Sequence, residues 1–121
     1  MNTQTIRLDL NKRPAVQPVV YLRKGDKDGT TLAVEVYDNG TALALDGWTA
    51  TFRMAKPGGG SYSNGGSVSG STATFTVNEA SACNSVGETD VAYVELTRYS
   101  GNQVTKRAST GNCRVVVLES A

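Results

Sequence analysis

The sequence predicts an all-β domain, an immunoglobulin-like sandwich of two antiparallel sheets. Val, Thr, Gly and Ser are abundant while Leu and Glu are scarce, a balance that favours strands and turns over helices. Apolar and polar residues alternate in several short segments, as expected where one face of a strand is buried. Turn signals separate about seven to nine such segments, a number and spacing typical of a sandwich. A closed barrel is the alternative that this pattern leaves open.

Four segments predict strands in the first half of the chain. Pro14 and Pro18 lie between the first two, where they exclude helix and favour a crossing between sheets at an edge. Asn39-Gly40 ends the third strand and predicts a hairpin, because both residues accept a positive φ at low cost. The fourth segment is expected to be central in the core. The predicted inward residues are Ile6, Leu8 and Leu10; the short run from Val19 to Leu22; Leu32, Val34 and Val36; and Trp48, Ala50, Phe52 and Met54.

The second half begins with a segment rich in small residues. Residues 57–70 contain six glycines and four serines around Tyr62, which predicts a mobile loop with room for one short strand. Residues 78–82 predict a capped helical turn that crosses from one sheet to the other. Residues 103–108 predict a weak strand, and residues 114–118 a closing strand that is buried on both faces or covered at an edge. The remaining inward residues are Ala73, Phe75 and Val77, then Ala92, Val94 and Leu96.

The totals set limits on size and partners. A chain of 121 residues predicts a single domain spanning residues 1–121. Its 12 basic and 11 acidic side chains are dispersed, which favours neither nucleic acid nor an anionic membrane as a partner. No stretch approaches the roughly 18 apolar residues of a transmembrane helix, and the start of the chain lacks a basic signal region. We therefore expect a soluble domain made in the cytoplasm, with no membrane insertion.

The two cysteines allow one disulfide. Cys83 lies in a predicted turn and Cys113 at the start of the last strand, so that a bridge between them is possible. Reduced or buried thiols are the favoured interpretation, because nothing in the sequence indicates an oxidising compartment.

Catalytic groups are scarce. Histidine is absent, which removes the usual general base near neutral pH and the commonest zinc ligand. The cysteines are 30 positions apart with no metal-ligand pattern beside them, and a cysteine nucleophile would lack its histidine partner. We expect no cofactor, no metal and no catalytic residue, and hence a protein that is not an enzyme.

Three loop carboxylates, Asp26, Asp28 and Asp38, are the best candidates for a calcium site, because hard cations take loop oxygens. Their spacing is too short for an EF-hand and Lys27 opposes a cation, so turn formation is the preferred explanation.

Two further patterns are weaker. Glu88 and Asp90 are two residues apart on one strand and lack the opposed geometry of a glycosidase acid and base. The glycines of residues 58–60 resemble a phosphate-binding loop only in composition, because no helix follows them.

Four side chains are candidates for an interface: Tyr21, Arg53, Tyr93 and Tyr99. Tyr93 and Tyr99 point outward from one predicted strand and Arg53 from its candidate neighbour, and exposed Tyr with Arg is typical of protein interfaces. A carbohydrate-binding module is the alternative, in which Tyr21, Tyr93 and Tyr99 would stack on sugar rings. The inward assignment of the single tryptophan, Trp48, weighs against that alternative.

An ordered series of short motifs resembles a known family. The series contains Ile6-Arg7-Leu8-Asp9-Leu10-Asn11-Lys12, Gly25-Asp26, Leu32, Asp38-Asn39-Gly40, Leu45-Asp46-Gly47 and Phe52-Arg53-Met54-Ala55-Lys56-Pro57, and more loosely Asn78-Glu79-Ala80 and Ala92-Tyr93-Val94-Glu95-Leu96. In order and spacing it is similar to the N-terminal domain of the upper baseplate proteins of tailed phages that infect Gram-positive bacteria. Asp9, Asp26 and Gly47 match positions of that family, and turn and strand-end geometry accounts for them.

The resemblance implies a non-catalytic structural protein of a phage or prophage tail. It implies an immunoglobulin-like sandwich that docks onto the tail tip and positions host-recognition components, with other baseplate and tail proteins as partners and the virion as location. Tail symmetry also makes a homo-oligomer in the assembled tail an expectation. In the family a helical stalk and a segment that holds the receptor-binding protein usually follow, and this sequence ends at Ala121 before either.

Overall fold

The computed structural model describes residues 2–11, 17–25, 29–83 and 85–119. Within these ranges the chain forms short strands and one turn of helix, which confirms the predicted all-β class. The elements are β1 (Asn2–Asp9), β2 (Val19–Arg23), β3 (Thr30–Asp38), β4 (Thr41–Ala42), β5 (Thr49–Ala55), β6 (Ser61–Gly65), β7 (Ser67–Ser69), β8 (Thr72–Val77), α1 (Glu79–Ala82), β9 (Gly87–Thr89), β10 (Ala92–Ser100), β11 (Gln103–Ser109) and β12 (Arg114–Leu118).

The strands form three hydrogen-bonded sheets. A five-stranded sheet has the order β1-β3-β8-β7, with β4 paired to β3; a four-stranded sheet has the order β11-β10-β5-β6; and a three-stranded sheet has the order β2-β12-β9. Most pairs are antiparallel as predicted, but β1 runs parallel to β3 and β2 parallel to β12. Parallel neighbours arise where two strands next to each other in the sheet are far apart along the chain and joined by a crossover.

The three-stranded sheet continues the layer of the four-stranded one. After β11 ends, the Thr110 N–H donates to Val94 O at 3.0 Å and the Cys113 N–H donates to Ala92 O at 2.8 Å, so the chain stays paired with β10 until β12 begins. The molecule therefore has two layers, with the five-stranded sheet on one side and the joined sheets on the other. This is the sandwich that the sequence predicts.

The core lies between the layers and follows the predicted alternation. β3 is buried at every second residue, and β5, β8 and β10 repeat the pattern. Phe52 and Phe75 meet across the layers with ring centroids 5.9 Å apart. Trp48 is only half-buried against this core, because it precedes β5 at the margin of the sheet. The predicted inward residues in β3, β5, β8 and β10 are buried, from Leu32 to Leu96.

The prediction of a mobile loop over residues 57–70 is wrong in part, because this segment forms both β6 and β7. β6 pairs with β5 along five residues, and Tyr62 packs on the core while its hydroxyl accepts the Asn78 N–H at 3.0 Å. The inward-facing side chains include only two hydrophobic ones, Tyr62 and Val68, because Asn64 is the other inward residue of β6. The alternation therefore contains little hydrophobic contrast. The composition of this segment therefore did not predict β6 and β7.

Gly66 is the point where the chain passes from one layer to the other. Its neighbours belong to different sheets, β6 in the four-stranded and β7 in the five-stranded sheet. A Cβ at this position would lie 2.5 Å from the Phe75 ring and from the carbonyl oxygen of Thr74. Only glycine fits so close to a core ring and a neighbouring backbone.

The predicted Asn39-Gly40 hairpin is confirmed. Asn39 and Gly40 have φ of 52° and 85°, and Asp38 pairs with Thr41 across the two-residue turn. The carboxylate of Asp9, at the end of β1, accepts the N–H groups of Asn39 at 2.7 Å, Gly40 at 2.8 Å and Asn11 at 2.9 Å. These bonds fasten the end of β1 to the hairpin.

The favoured interpretation of the cysteines holds. Cys83 and Cys113 are both buried thiols and are not joined in a disulfide. None of the described helical residues forms a span long and apolar enough to cross a bilayer.

Candidate functional site

The outer side of the four-stranded sheet carries three of the four candidate interface residues. Tyr93 in β10 is the direct cross-strand partner of Arg53 in β5, and Tyr99 lies six residues further along β10, so strand alternation places it on the same side. Val104 in β11 is the partner of Tyr99. We call this surface the tyrosine face and define it by Arg53, Tyr93, Glu95, Tyr99 and Val104.

The tyrosine face exists because its strands keep a strict inside-outside alternation. Phe52 and Met54 point into the core from β5, so Arg53 between them must point out. Val94 does the same for Tyr93 and Glu95 in β10. The register then sets the outward side chains beside one another.

An ion pair orders the middle of the face. The guanidinium of Arg53 contacts the Glu95 carboxylate at 3.2 Å, with both Nε and Nη2 directed at the same oxygen. The arginine side chain is 42% exposed, so the pair contributes little stability but holds the guanidinium in one orientation. A fixed and partly exposed Arg beside Tyr is the composition found in the most strongly binding parts of interfaces.

Two depressions flank Tyr93. The larger has a volume of about 360 Å³ and lies between the ring of Tyr93, Arg53 and the exposed Val91. The smaller, about 210 Å³, lies on the other side of Tyr93, against Thr110 and Asn112. The tyrosine therefore forms a ridge between two hollows, a relief that another protein's side chains can enter.

The end of the face is a projecting hairpin formed by β10 and β11. Tyr99 is 52% exposed and its partner Val104 is 43% exposed, so an aromatic and an aliphatic side chain stand together in solvent. On β11, Arg107 pairs with Thr97 and lies on the same side as Tyr99, whereas Lys106 pairs with Arg98 and lies on the opposite side of the hairpin. Neither forms an ion pair with any described residue. We call Tyr99, Val104, Lys106 and Arg107 the hairpin tip.

Arg98 has a different role from the basic residues of the tip. Its guanidinium stacks 4.4 Å from the centroid of the Trp48 ring, and its Nη2 donates to Asp46 O at 3.3 Å. This contact supports the base of the hairpin from the inner side. The half-buried position of Trp48 is thereby explained.

Tyr21 lies apart from the other three candidates. It is in β2 of the three-stranded sheet, and its backbone is held by the side chain of Gln4 in β1. The Gln4 Oε1 accepts the Tyr21 N–H at 2.8 Å, and the Gln4 Nε2 donates to Tyr21 O. The sequence could not show this separation, because it depends on the parallel pairing of β2 with β12.

The outer surface of the five-stranded sheet consists largely of short hydroxyl side chains. The outward residues of the five-stranded sheet include Thr3, Thr31 and Thr76 in one cross-strand row, and Thr72 and Thr74 further along β8. We call this surface the threonine face. Its arginine, Arg7, stacks 4.1 Å from the centroid of its tyrosine, Tyr37, so these two groups are occupied with each other.

The weaker candidates for chemistry do not assemble. Asp26 and Asp28 lie outside the described residues, and among those described no group of three or more metal-ligating side chains is found. Glu88 and Asp90 both contact Arg114, at 3.7 and 3.4 Å, which accounts for them as solvated ion pairs. Gly58 and Gly59 have φ of 89° and 115°, as a tight turn before β6 requires.

Among the described residues, two ionisable groups have shifted pKa values. Burial raises the pKa of the Cys113 thiol to about 12, so that very little thiolate exists at neutral pH. The backbone N–H of Asn11 lowers the pKa of Asp9, desolvation opposes this by a smaller amount, and the N–H groups of Gly40 and Asn39 lower it further. Burial in the core accounts for the shift of Cys113, and hydrogen bonds at the end of β1 account for that of Asp9.

Val104 and Glu95 belong to the face but are not among the sequence candidates. The signal for Glu95 was its position two residues after Tyr93 on the same strand. Val104 carried no such signal, because its role depends on a β-bulge between β10 and β11. There Arg98 pairs with Lys106 and Tyr99 with Val104, which leaves Thr105 as the extra residue.

Comparison with known proteins gives one family and a shared fold. Residues 2–117 match the family model described as the BppU N-terminal domain. No curated protein matches the chain, whereas nine chains of solved structures are similar to it. One is the N-terminal domain of phage TP901-1 ORF48, with a TM-score of 0.77 and 19% identity, over 97% of this chain and 98% of that chain. At that identity the likeness shows the fold.

Proposed function

The chain belongs to the family of baseplate upper protein N-terminal domains, and from that premise we propose that it is a non-catalytic structural part of a phage tail baseplate that docks onto other tail proteins. The family match, which covers residues 2–117, carries the proposal. The protein would then be synthesised in the host and assembled into the virion, at the tail baseplate.

The tyrosine face supports a role in protein binding. It combines Arg53, Tyr93 and Tyr99 with two depressions, whereas the threonine face offers short hydroxyl side chains and an Arg–Tyr pair already in contact. Interfaces are enriched in Tyr and Arg and depleted in small polar residues. We assign docking to the tyrosine face, and the docked domain would position host-recognition components.

The carbohydrate-binding alternative is not favoured. It requires Tyr21, Tyr93 and Tyr99 as stacking platforms, and Tyr21 lies in β2, which is not paired with β10, the strand of the other two. The family match also provides no argument for a sugar ligand.

Immunogold electron microscopy tests the proposed function. Antibodies against this domain are applied to purified particles of the phage that encodes it, with an antibody against the major tail tube protein as the control. We expect gold at the baseplate end of the tail. Label along the tube, on the head or in unassembled protein alone would overturn the proposal.

A further inference from the structure

The hairpin tip has an unbalanced charge. Between Thr97 and Cys113 the sequence contains three basic residues and no acidic one. Arg98 is engaged with Trp48 and Asp46, which leaves Lys106 and Arg107 as exposed cations with no counter-ion among the described residues. The other described ion pairs, by contrast, balance Arg53 with Glu95 and Arg114 with Glu88 and Asp90.

The same tip exposes apolar surface. Five large hydrophobic side chains are strongly exposed among the described residues, and two of them, Tyr99 and Val104, are direct cross-strand neighbours. Isolated exposed hydrophobics are ordinary, whereas here two of them are adjacent and form one continuous apolar surface.

Strand addition is disfavoured as the mode of binding at this edge. The β-bulge at Thr105 interrupts the ladder, and the Thr105 hydroxyl donates to Arg98 O at 3.1 Å. A bulge and a lysine on an edge strand are both devices that prevent pairing with another strand. The partner must therefore meet the side chains of the tip.

We propose that the hairpin tip inserts Tyr99 and Val104 into an apolar hollow on a second tail protein whose rim carries carboxylates on both sides of the hairpin, which pair with Arg107 on the side of the tyrosine face and with Lys106 on the other side. This deepens the proposed function and rests on it, because it names the part of the tyrosine face that anchors the domain and the chemistry of the partner. The apolar pair supplies affinity by burial, and the two cations supply orientation and the rate of association.

An acidic protein surface fits better than nucleic acid or lipid. Two exposed cations neutralise too few phosphates for useful affinity for DNA, and one tyrosine with one valine inserts little apolar area into a bilayer. An interface between proteins needs only a small anchor of this kind, surrounded by complementary contacts.

Binding measurements with purified proteins test the inference. Each structural tail protein encoded beside this chain is immobilised separately, and the domain is passed over it at low and high salt; anionic phosphatidylglycerol vesicles and short duplex DNA are further surfaces. The variants are Tyr99→Ala, Val104→Ala and the double charge reversal Lys106→Glu with Arg107→Glu. Tyr21→Ala is the matched control, since Tyr21 is 53% exposed but lies in β2, which is not paired with β10 or β11.

We expect the wild-type domain to bind one tail protein. Tyr99→Ala should weaken this binding about tenfold or more, and the charge reversal should slow association and reverse its dependence on salt, because carboxylates would then face carboxylates. Val104→Ala should weaken it less, and Tyr21→Ala should leave it unchanged. Circular dichroism and melting curves like those of the wild type should show that each variant is folded, because all the substituted side chains are exposed.

Three results would overturn the inference, and they differ in what they leave standing. Tail-protein binding that is undiminished in every tip variant would remove the tip as anchor and retain the proposed docking function. Binding to vesicles or DNA in place of any tail protein would contradict the partner's chemistry. A folded wild-type domain that binds none of the tail proteins would count against both the inference and the docking function.

Discussion

The two outer faces of the sandwich are built on the same inner architecture and carry different chemistry. Beneath the tyrosine face lies Phe52, and beneath the threonine face lies Phe75, in contact with it across the core. Outward, one side presents Tyr, Arg and a pair of hollows, and the other presents rows of threonine. Threonine suits a solvated strand because its β-branched side chain favours extended backbone. The difference teaches that strand formation explains the threonines of one face, whereas the other face carries side chains that stability does not require.

The largest effect should come from the shared interior. Phe52→Ala and Phe75→Ala should each cost about 3–5 kcal/mol of unfolding free energy, because each removes a fully buried ring and leaves a cavity. Similar losses in urea titrations would show that the two sheets contribute alike to the core. A loss below about 1 kcal/mol for only one of them would show that the two sheets contribute unequally to the core.

Gly66→Ala tests the point where the two layers join. The new methyl group would lie 2.5 Å from the Phe75 ring and the Thr74 carbonyl oxygen, and such overpacking should cost about 2–3 kcal/mol. Gly65→Ala, one residue earlier, is the control because its Cβ would meet no atom within 4 Å. Equal melting temperatures for the two variants would show that the crossing is not tightly packed.

Asp9→Ala tests the fastening of β1 beside the threonine face. It should cost about 1 kcal/mol at neutral pH, at the low end for three hydrogen bonds because the carboxylate is near solvent. The folded state lowers the pKa of Asp9, so this contribution is complete above about pH 4 and is lost as the pH falls through the lower folded value.

Denaturation of wild type and variant from pH 7 to pH 2 measures the difference between them. The two curves should converge in acid. A constant gap would mean that the variant acts through packing and not through the charge of Asp9.

Substitutions of outward side chains should change stability least, but should differ most between the two faces in their effect on binding. Tyr93→Ala and Thr74→Ala should each change the unfolding free energy by about 1 kcal/mol or less, because both side chains point outward. Only Tyr93→Ala should weaken binding to a tail protein, measured by interferometry. Equal weakening by Thr74→Ala would mean that the assignment of docking to the tyrosine face is wrong.

Local pattern was sufficient for much of the fold. The alternation around Val34 and Val94 predicted buried strands, and Asn39-Gly40 predicted the hairpin, because each depends on a few neighbouring residues. The strands in residues 57–70 were not predictable from composition, because hydrophobic contrast is low there and β6 forms by pairing with β5. The parallel pairs were not predictable, because they join strands that are distant in the sequence.

The sequence predicted the orientation of the candidate interface residues but not which of them lie near one another. Arg53, Tyr93 and Tyr99 could be placed outward by parity, and the register then put Arg53 beside Tyr93. Tyr21 could not be separated from them without the sheet order, and Val104 could not be added without the bulge. Orientation is thus a local property of a strand, whereas proximity is a property of the whole sheet.

The Gln4 amide has a consequence for copies of the domain held close together. Its donor and acceptor take the carbonyl and N–H of Tyr21, the two groups that a strand from a neighbouring copy would need. An amide with one donor and one acceptor in use thus stands in for a foreign strand at the margin of β2. A second copy placed beside this margin would therefore find no free hydrogen-bonding groups at Tyr21 with which to extend the sheet, and contacts between components would be left to side chains that can distinguish one partner from another.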